Sequence, residues 1–172
     1  MKSSSGFTLL ELLIVILVVG VLGGVLLGRV WFYQEQAEKG AMEQMAGTLR
    51  SALHLQIADR LLNGQRNLTE LTDDNPMDWL MQPPANYLGE RFGAEPGSVA
   101  GGSWYFDLRD KTLVYVVTQA AHFSANPTGR KQVRYQMRPI LSRKNAQVGL
   151  DAVDKQNIEG VILVLVEPYQ WF

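Results

Sequence analysis

From Phe7 to Leu27 the chain reads FTLLELLIVILVVGVLGGVLL, 21 residues that include a single charge, Glu11. A helix of that length reaches roughly 31 Å at about 1.5 Å per residue, enough for the roughly 30 Å hydrocarbon core of a bilayer. No other window competes. The next most apolar run, Val161 to Val166, has six residues and is far too short to span. The reading is one membrane span, with the remainder of the 172 residues forming a globular part.

The rest of the composition narrows the function classes. Apolar residues at 47% and charged residues at 19% exclude a disordered polymer. A formal net charge of −1 argues against a polyanion binder driven by overall charge. There is no cysteine, which removes a disulfide scaffold, a thiolate zinc site and a cysteine nucleophile together. His54 and His122 are the only histidines, so a histidine-rich metal site is excluded too.

A secretory signal peptide would have an apolar stretch of about 7–15 residues and an A-x-A-like cleavage site. This run is longer and lacks that site. The leader MKSSSG ends in a glycine directly before it. Glu11 is the informative residue. A carboxylate near the end of an apolar helix costs on the order of 1–3 kcal/mol to hold in lipid, so it needs a partner or a path to the interface. Position 11 lies one helical turn after Phe7. If the chain were cut after Gly6, the new α-amine of Phe7 would be a cation at membrane depth. Glu11 would be its counter-charge, in the same chain or in a neighbour. The alternative is a tolerated carboxylate that snorkels to the interface.

Gly6-Phe7-Thr8-Leu9-Leu10-Glu11, followed by the apolar run, resembles the type IV pilin family, which includes the pseudopilins of type II secretion. The resemblance covers residues 1–35. It implies cleavage by a prepilin peptidase between Gly6 and Phe7, N-methylation of Phe7, and pairing of Glu11 with the amine of an adjoining subunit during fibre assembly. It also implies orientation: leader on the cytoplasmic side of the bacterial inner membrane, globular part periplasmic, then a periplasmic or extracellular fibre. The implied partners are other pilin or pseudopilin subunits, the peptidase, an inner-membrane assembly platform and lipid. The implied role is structural and not enzymatic. The missing cysteines shift weight toward a minor pilin or pseudopilin, while Glu11 argues against the tip-type minor pseudopilin that lacks this glutamate. The alternative from another class is a single-span, membrane-anchored periplasmic binding module.

Many major pilins carry a proline at the position of Gly28. Here Gly20, Gly23, Gly24 and Gly28 take over the weakening of the helix, each costing roughly 0.5–1 kcal/mol against alanine. They predict either a bendable or locally unwound segment, or close helix packing through the Gly24/Gly28 pair. The domain plan is a leader at 1–6, a transmembrane helix at 7–28, an amphipathic continuation at 29–64 and a globular domain at 65–172.

In the continuation, Met42, Met45, Leu49, Leu53, Ile57 and Leu61 follow helical spacing, and Gly64 stands where a C-terminal cap belongs. Residues 65–103 read as an irregular connection with short helices. Asn67 to Glu70 has the spacing of a capping box, and Asn75-Pro76 opens a helix to Met81. From 104 to 172 the chain reads as strands. Ser103 to Leu108 and Leu113 to Val117 form a hairpin pattern about Arg109 to Thr112. Gln132 to Met137 alternates, with Pro139 ending or edging that strand. Val161 to Val166 reads as a central strand buried on both faces. The fold class expected is α+β: a long N-terminal helix on a roughly four-stranded antiparallel sheet.

No catalytic constellation emerges. His54 reads as a packed or surface residue of the helix, and His122 has no obvious partner. No cofactor is expected. Calcium would need Asp73, Asp74, Asn75 and Asp78, which read better as a turn and cap, or Asn145, Asp151, Asp154 and Asn157 in the loop 142–157. One charge feature is left. Between Lys111 and Leu150 lie seven basic residues and no acid: Lys111, Arg130, Lys131, Arg134, Arg138, Arg143 and Lys144. Three readings stay open: a solvated strand face, a contact for an acidic patch on the next subunit, or a polyanion site. Nucleic acid is the weakest, because only Tyr135 lies within the cluster and its alternation points it inward.

Overall fold

The structure is a computed structural model, and it describes residues 7–65, 67–95, 97–124, 129–141 and 158–172. Helix α1 covers Leu9–Leu62. The chain divides into two compact units, Met1–Ala37 and Glu38–Phe172.

In the first unit the apolar helix buries nothing on itself. No residue of its most apolar 18-residue window is buried among the described residues. The second unit is built around the helical stripe that the sequence marks out. Met42, Ala46, Leu49 and Leu53 are each at most 1% exposed. They pack with Trp104, Phe106, Leu113, Tyr115, Val133, Tyr135, Met137, Val161 and Leu163 from one face of a sheet. Met45 and Ile57 flank that core, whereas Leu61 points into solvent. The helix ends as a Schellman motif. Gly64 takes φ +75°, its N–H donates to the Leu61 carbonyl, and the Gln65 N–H donates to the Arg60 carbonyl.

The sheet has five strands: β1 Tyr87–Arg91, β2 Trp104–Asp107, β3 Thr112–Val116, β5 Gln132–Leu141 and β6 Ile158–Leu165, in the order β1-β2-β3-β5-β6. A separate two-stranded ribbon joins β4 Phe123–Ser124 to β7 Gln170–Trp171. This is the α+β class expected, a long N-terminal helix with a mostly antiparallel sheet, of five strands where about four were expected. Two expectations need correction. β1 lies inside the stretch read as irregular, and it pairs parallel to β2. Its register shifts between Tyr87 and Glu90, where Gly89 takes φ +80°, so the period-two pattern that announces a strand is broken. The crossover from β1 to β2 runs over the outer face of the sheet and buries Val99 against Tyr105 and Val114. The second correction concerns β6, which is an edge strand among the described residues. Val161 and Leu163 face the core, but Ile162 is 40% exposed. An apolar run cannot by itself distinguish a central strand from an edge.

Pro139 does not end β5. It falls beyond Gln136, the last β5 residue paired with β3, so its missing N–H faces no ladder on that side. The short helices are 3₁₀ turns, Thr69–Thr72 and Pro76–Trp79. Asn75 caps the second, its side chain accepting from the Met77 N–H. The expected capping box at Asn67 does not form: Asn67 accepts from the Thr69 N–H, and Glu70 turns away to Arg60.

Helix and sheet are also tied by polar contacts. Glu38 accepts from the Tyr115 hydroxyl at 2.9 Å and from the backbone N–H groups of Thr118 and Gln119, both at 2.7 Å. Tyr169 donates to Glu43, and Lys39 donates to the Trp171 carbonyl. The C-terminal ribbon is thereby pinned to the second turn of this unit's helix. Replacing Glu38 with alanine leaves three donors without an acceptor and should cost about 1–3 kcal/mol. Leu49→Ala should cost about 2–5 kcal/mol by opening a core cavity. Thermal and denaturant melts of the detergent-solubilised chain check both. Neutral outcomes would mean that this helix face is not what holds the sheet.

Candidate functional site

The chemistry of the N-terminal segment starts at the first turn of α1. Thr8 is the N-cap. Its hydroxyl accepts from the Glu11 N–H at 3.2 Å, and its carbonyl accepts the first helical bond, from Leu12. Glu11 is therefore the N3 residue of a Thr-x-x-Glu pattern, the spacing of a capping box. Its carboxylate sits where the positive end of the helix dipole favours an anion. Sequence reasoning weighed Glu11 only against Phe7 and missed Thr8, although the spacing [ST]-x-x-[DE] before an apolar run was there to be read. Phe7 is 73% exposed, and Glu11 is exposed as well. Among the described residues Glu11 makes no ion pair within its own chain. A helix start that is capped, carries an acid and has an exposed residue before it can receive a cation there without rearrangement. Gly6 lies outside the described residues.

The four glycines of the span face open space. A Cβ added at Gly20, Gly23, Gly24 or Gly28 would meet nothing within 4 Å. The helix runs through them without interruption, so the local unwinding expected there is not a feature of this chain by itself. Nothing among the described residues requires glycine at these positions.

The basic cluster is dispersed by the fold. Arg134 and Arg138 project from the outer face of β5, opposite the buried side chains of Val133, Tyr135 and Met137. Arg134 is already engaged, by Asp110 at 2.6 Å and by Thr112 at 3.3 Å. Arg138 is exposed. Arg130 and Lys131 precede the strand and line a half-open hollow of about 270 Å³ with Glu95, Val99, Tyr105 and Val116. Arg143 and Lys144 lie outside the described residues. Among the described residues, Arg130 and Lys131 line this hollow while Arg134 and Arg138 lie on the outer face of β5.

Of the acids at 73–78, Asp74 and Asp78 have protein partners, Arg60 and the Asn75 amide. Asp74 and Glu70 both pair with Arg60, at 3.2 and 3.1 Å. Asn75 uses its oxygen as a helix cap and its nitrogen to donate to the Tyr87 hydroxyl and to Glu90. No group of three or more metal-capable side chains occurs among the described residues. The second calcium candidate, Asn145 to Asn157, lies outside them. Burial pushes the Asp74 carboxyl up, against the pull of Arg60 and with help from Glu70 and Asp73. Burial also pushes Asp78 up, followed by repulsion from Glu90 and Asp74. His54 faces solvent, and the exposed His122 ring stacks on Phe172 at 5.1 Å.

Residues 1–27 match the family model of the prokaryotic N-terminal methylation motif. No curated protein and no solved structure matches the chain.

The raised Asp78 carboxyl has a pH consequence. Stability from its neutral form is complete below the unfolded carboxylate value and is lost as pH rises through the higher folded value. Asp78→Asn should therefore melt with the wild type at pH 3 and above it at pH 7. Equal melting temperatures at both pH values would refute the upward push on Asp78, from burial first and from Glu90 and Asp74 after it.

Proposed function

We propose that the chain is a minor pilin or pseudopilin, a structural subunit of a type IV pilus or type II secretion fibre, and not an enzyme. The observation that carries this is the conjunction at the N-terminus. A methylation motif over residues 1–27 coincides with an apolar helix that the chain leaves unburied and with Glu11, in a first turn capped by Thr8, which makes no ion pair among the described residues. In this reading a prepilin peptidase cleaves between Gly6 and Phe7 and methylates the new amine. The leader is cytoplasmic, and the globular unit is periplasmic until assembly.

The physical logic runs from cost to assembly. A carboxylate and an ammonium at membrane depth are each expensive alone. Paired across two subunits, they remove both costs and set the register between neighbouring helices. Gly20, Gly23, Gly24 and Gly28 then permit close approach of those helices, which their open surroundings in the single chain favour. The exposed Arg138, with Arg130 and Lys131, supplies contacts to an acidic neighbour. Arg134, held by Asp110, belongs to the solvated strand face.

Glu11→Ala separates assembly from processing. Produced with the peptidase and the assembly machinery of its host, the variant should be cleaved like the wild type but be lost from sheared or purified fibres. Glu11→Asp should recover part of the incorporation. A membrane anchor for a binding module would keep its leader and tolerate Glu11→Ala. Equal incorporation of the alanine variant, or an uncut chain, would overturn the proposal.

A further inference from the structure

Immediately beyond the apolar run the helix carries Arg29-Val30-Trp31-Phe32-Tyr33. Successive helical residues are separated by about 100°, so three consecutive aromatics point in three directions around the axis. That is the wrong spacing for a seam against one partner, which needs residues three and four apart. It suits a boundary that surrounds the helix. Trp31 is 59% and Tyr33 62% exposed, and the Phe32 and Tyr33 rings meet edge to face at 5.9 Å. Amphipathic rings of this kind partition to the headgroup level of a bilayer, where a ring is apolar and its N–H or O–H is wet. Arg29, just inside them, has a stem long enough to bring its guanidinium out to the same level.

Distance along the helix gives the collar a consequence. Glu11 lies 20 residues before Trp31, which is about 30 Å of rise and matches the thickness of the hydrocarbon core. If Trp31 rests at one boundary, Glu11 rests at the other, and Phe7 lies about one turn further, among the opposite headgroups. A span bounded only by leucine and valine could slide through several registers at little cost.

We propose that Trp31, Phe32 and Tyr33 form an interfacial collar that seats the span against the lipid headgroups on the Arg29 side and thereby fixes the depth of Glu11 and Phe7 at the other side. The collar positions the residue to be processed; it takes no part in the chemistry. The inference rests on the membrane-span and processing reading above.

The chain has no cysteine, so single cysteines report depth cleanly. Leu27→Cys, Val30→Cys and Gln34→Cys would be labelled in the full-length chain in cells lacking the peptidase, with a membrane-impermeant maleimide. The expected pattern is protection at 27, reactivity at 34, and a boundary near 30. Trp31→Leu, Phe32→Leu and Tyr33→Leu together should draw position 34 inward, lowering its reactivity several-fold. With the peptidase present, they should also slow cleavage several-fold. A reordered collar, Trp31→Tyr with Tyr33→Trp, should restore both. An unchanged boundary in the leucine background would overturn the collar. A moved boundary with unchanged cleavage would overturn its link to Phe7. Reactivity of Leu27→Cys with the collar intact would refute the span itself, and the collar with it. A chain that spans and is never cut would refute the processing reading, while the labelling pattern would still decide the depth.

Discussion

An apolar helix that the chain cannot bury is the constraint on which everything else turns. Leu9, Leu17, Val19, Val21, Val25, Leu26 and Leu27 are each 60% or more exposed. Burying one such side chain is worth about 1.5–3 kcal/mol, so a run of them in water would exceed the entire stability of a domain of this size. The segment must be covered by lipid or by other helices. Glu11 decides what kind of cover. Lipid alone leaves its carboxylate near the hydrocarbon boundary, held only by the helix dipole and its place in the first turn. In the reading proposed above, a neighbour bearing a cation satisfies it directly, which would make an assembled fibre a better environment than lipid alone.

The second unit solves a different problem with the same helix. Between Met42 and Leu53 the apolar residues contract to a stripe, because here one face has a sheet to cover and the other meets solvent. Trp104, Tyr115 and Tyr135 fill the centre, with ring centroids 4.8 and 6.1 Å apart. Glu38 at one side of this contact and the Lys39–Glu43 pair beside the C-terminal ribbon fix helix to sheet at points far apart in sequence. The outer face of the sheet is left for Arg134, Arg138 and the crossover loop.

Much of this was legible in the residues. The span, the amphipathic stripe, the glycine cap at Gly64, the cap at Asn75 and the β2–β3 hairpin all follow from spacing and propensity. β1 was hidden because Gly89 bends it out of period, and because its parallel pairing is a long-range choice that no local pattern encodes. Val161 to Val166 misled because hydrophobicity reports neither strand order nor which face a neighbour covers. At the N-terminus, Gly6, Phe7 and Glu11 were singled out by chemistry and resemblance, while the cap formed by Thr8 emerged only with the helix start. The basic residues between 111 and 150 looked like one patch in sequence. The pairing of β3 with β5 brings Arg134 to Asp110, a neutralisation that depends on strand register.

The central claim is that the chain is matured at Phe7 and held by its N-terminal helix. The most direct measurement is the intact mass of the protein extracted from membranes of cells with and without a prepilin peptidase. A product beginning at Phe7 and carrying one added methyl group, present only with the peptidase, is the predicted result. A chain beginning at Met1 under both conditions, or one cut near Gly20 to Gly28 without the peptidase, would contradict it.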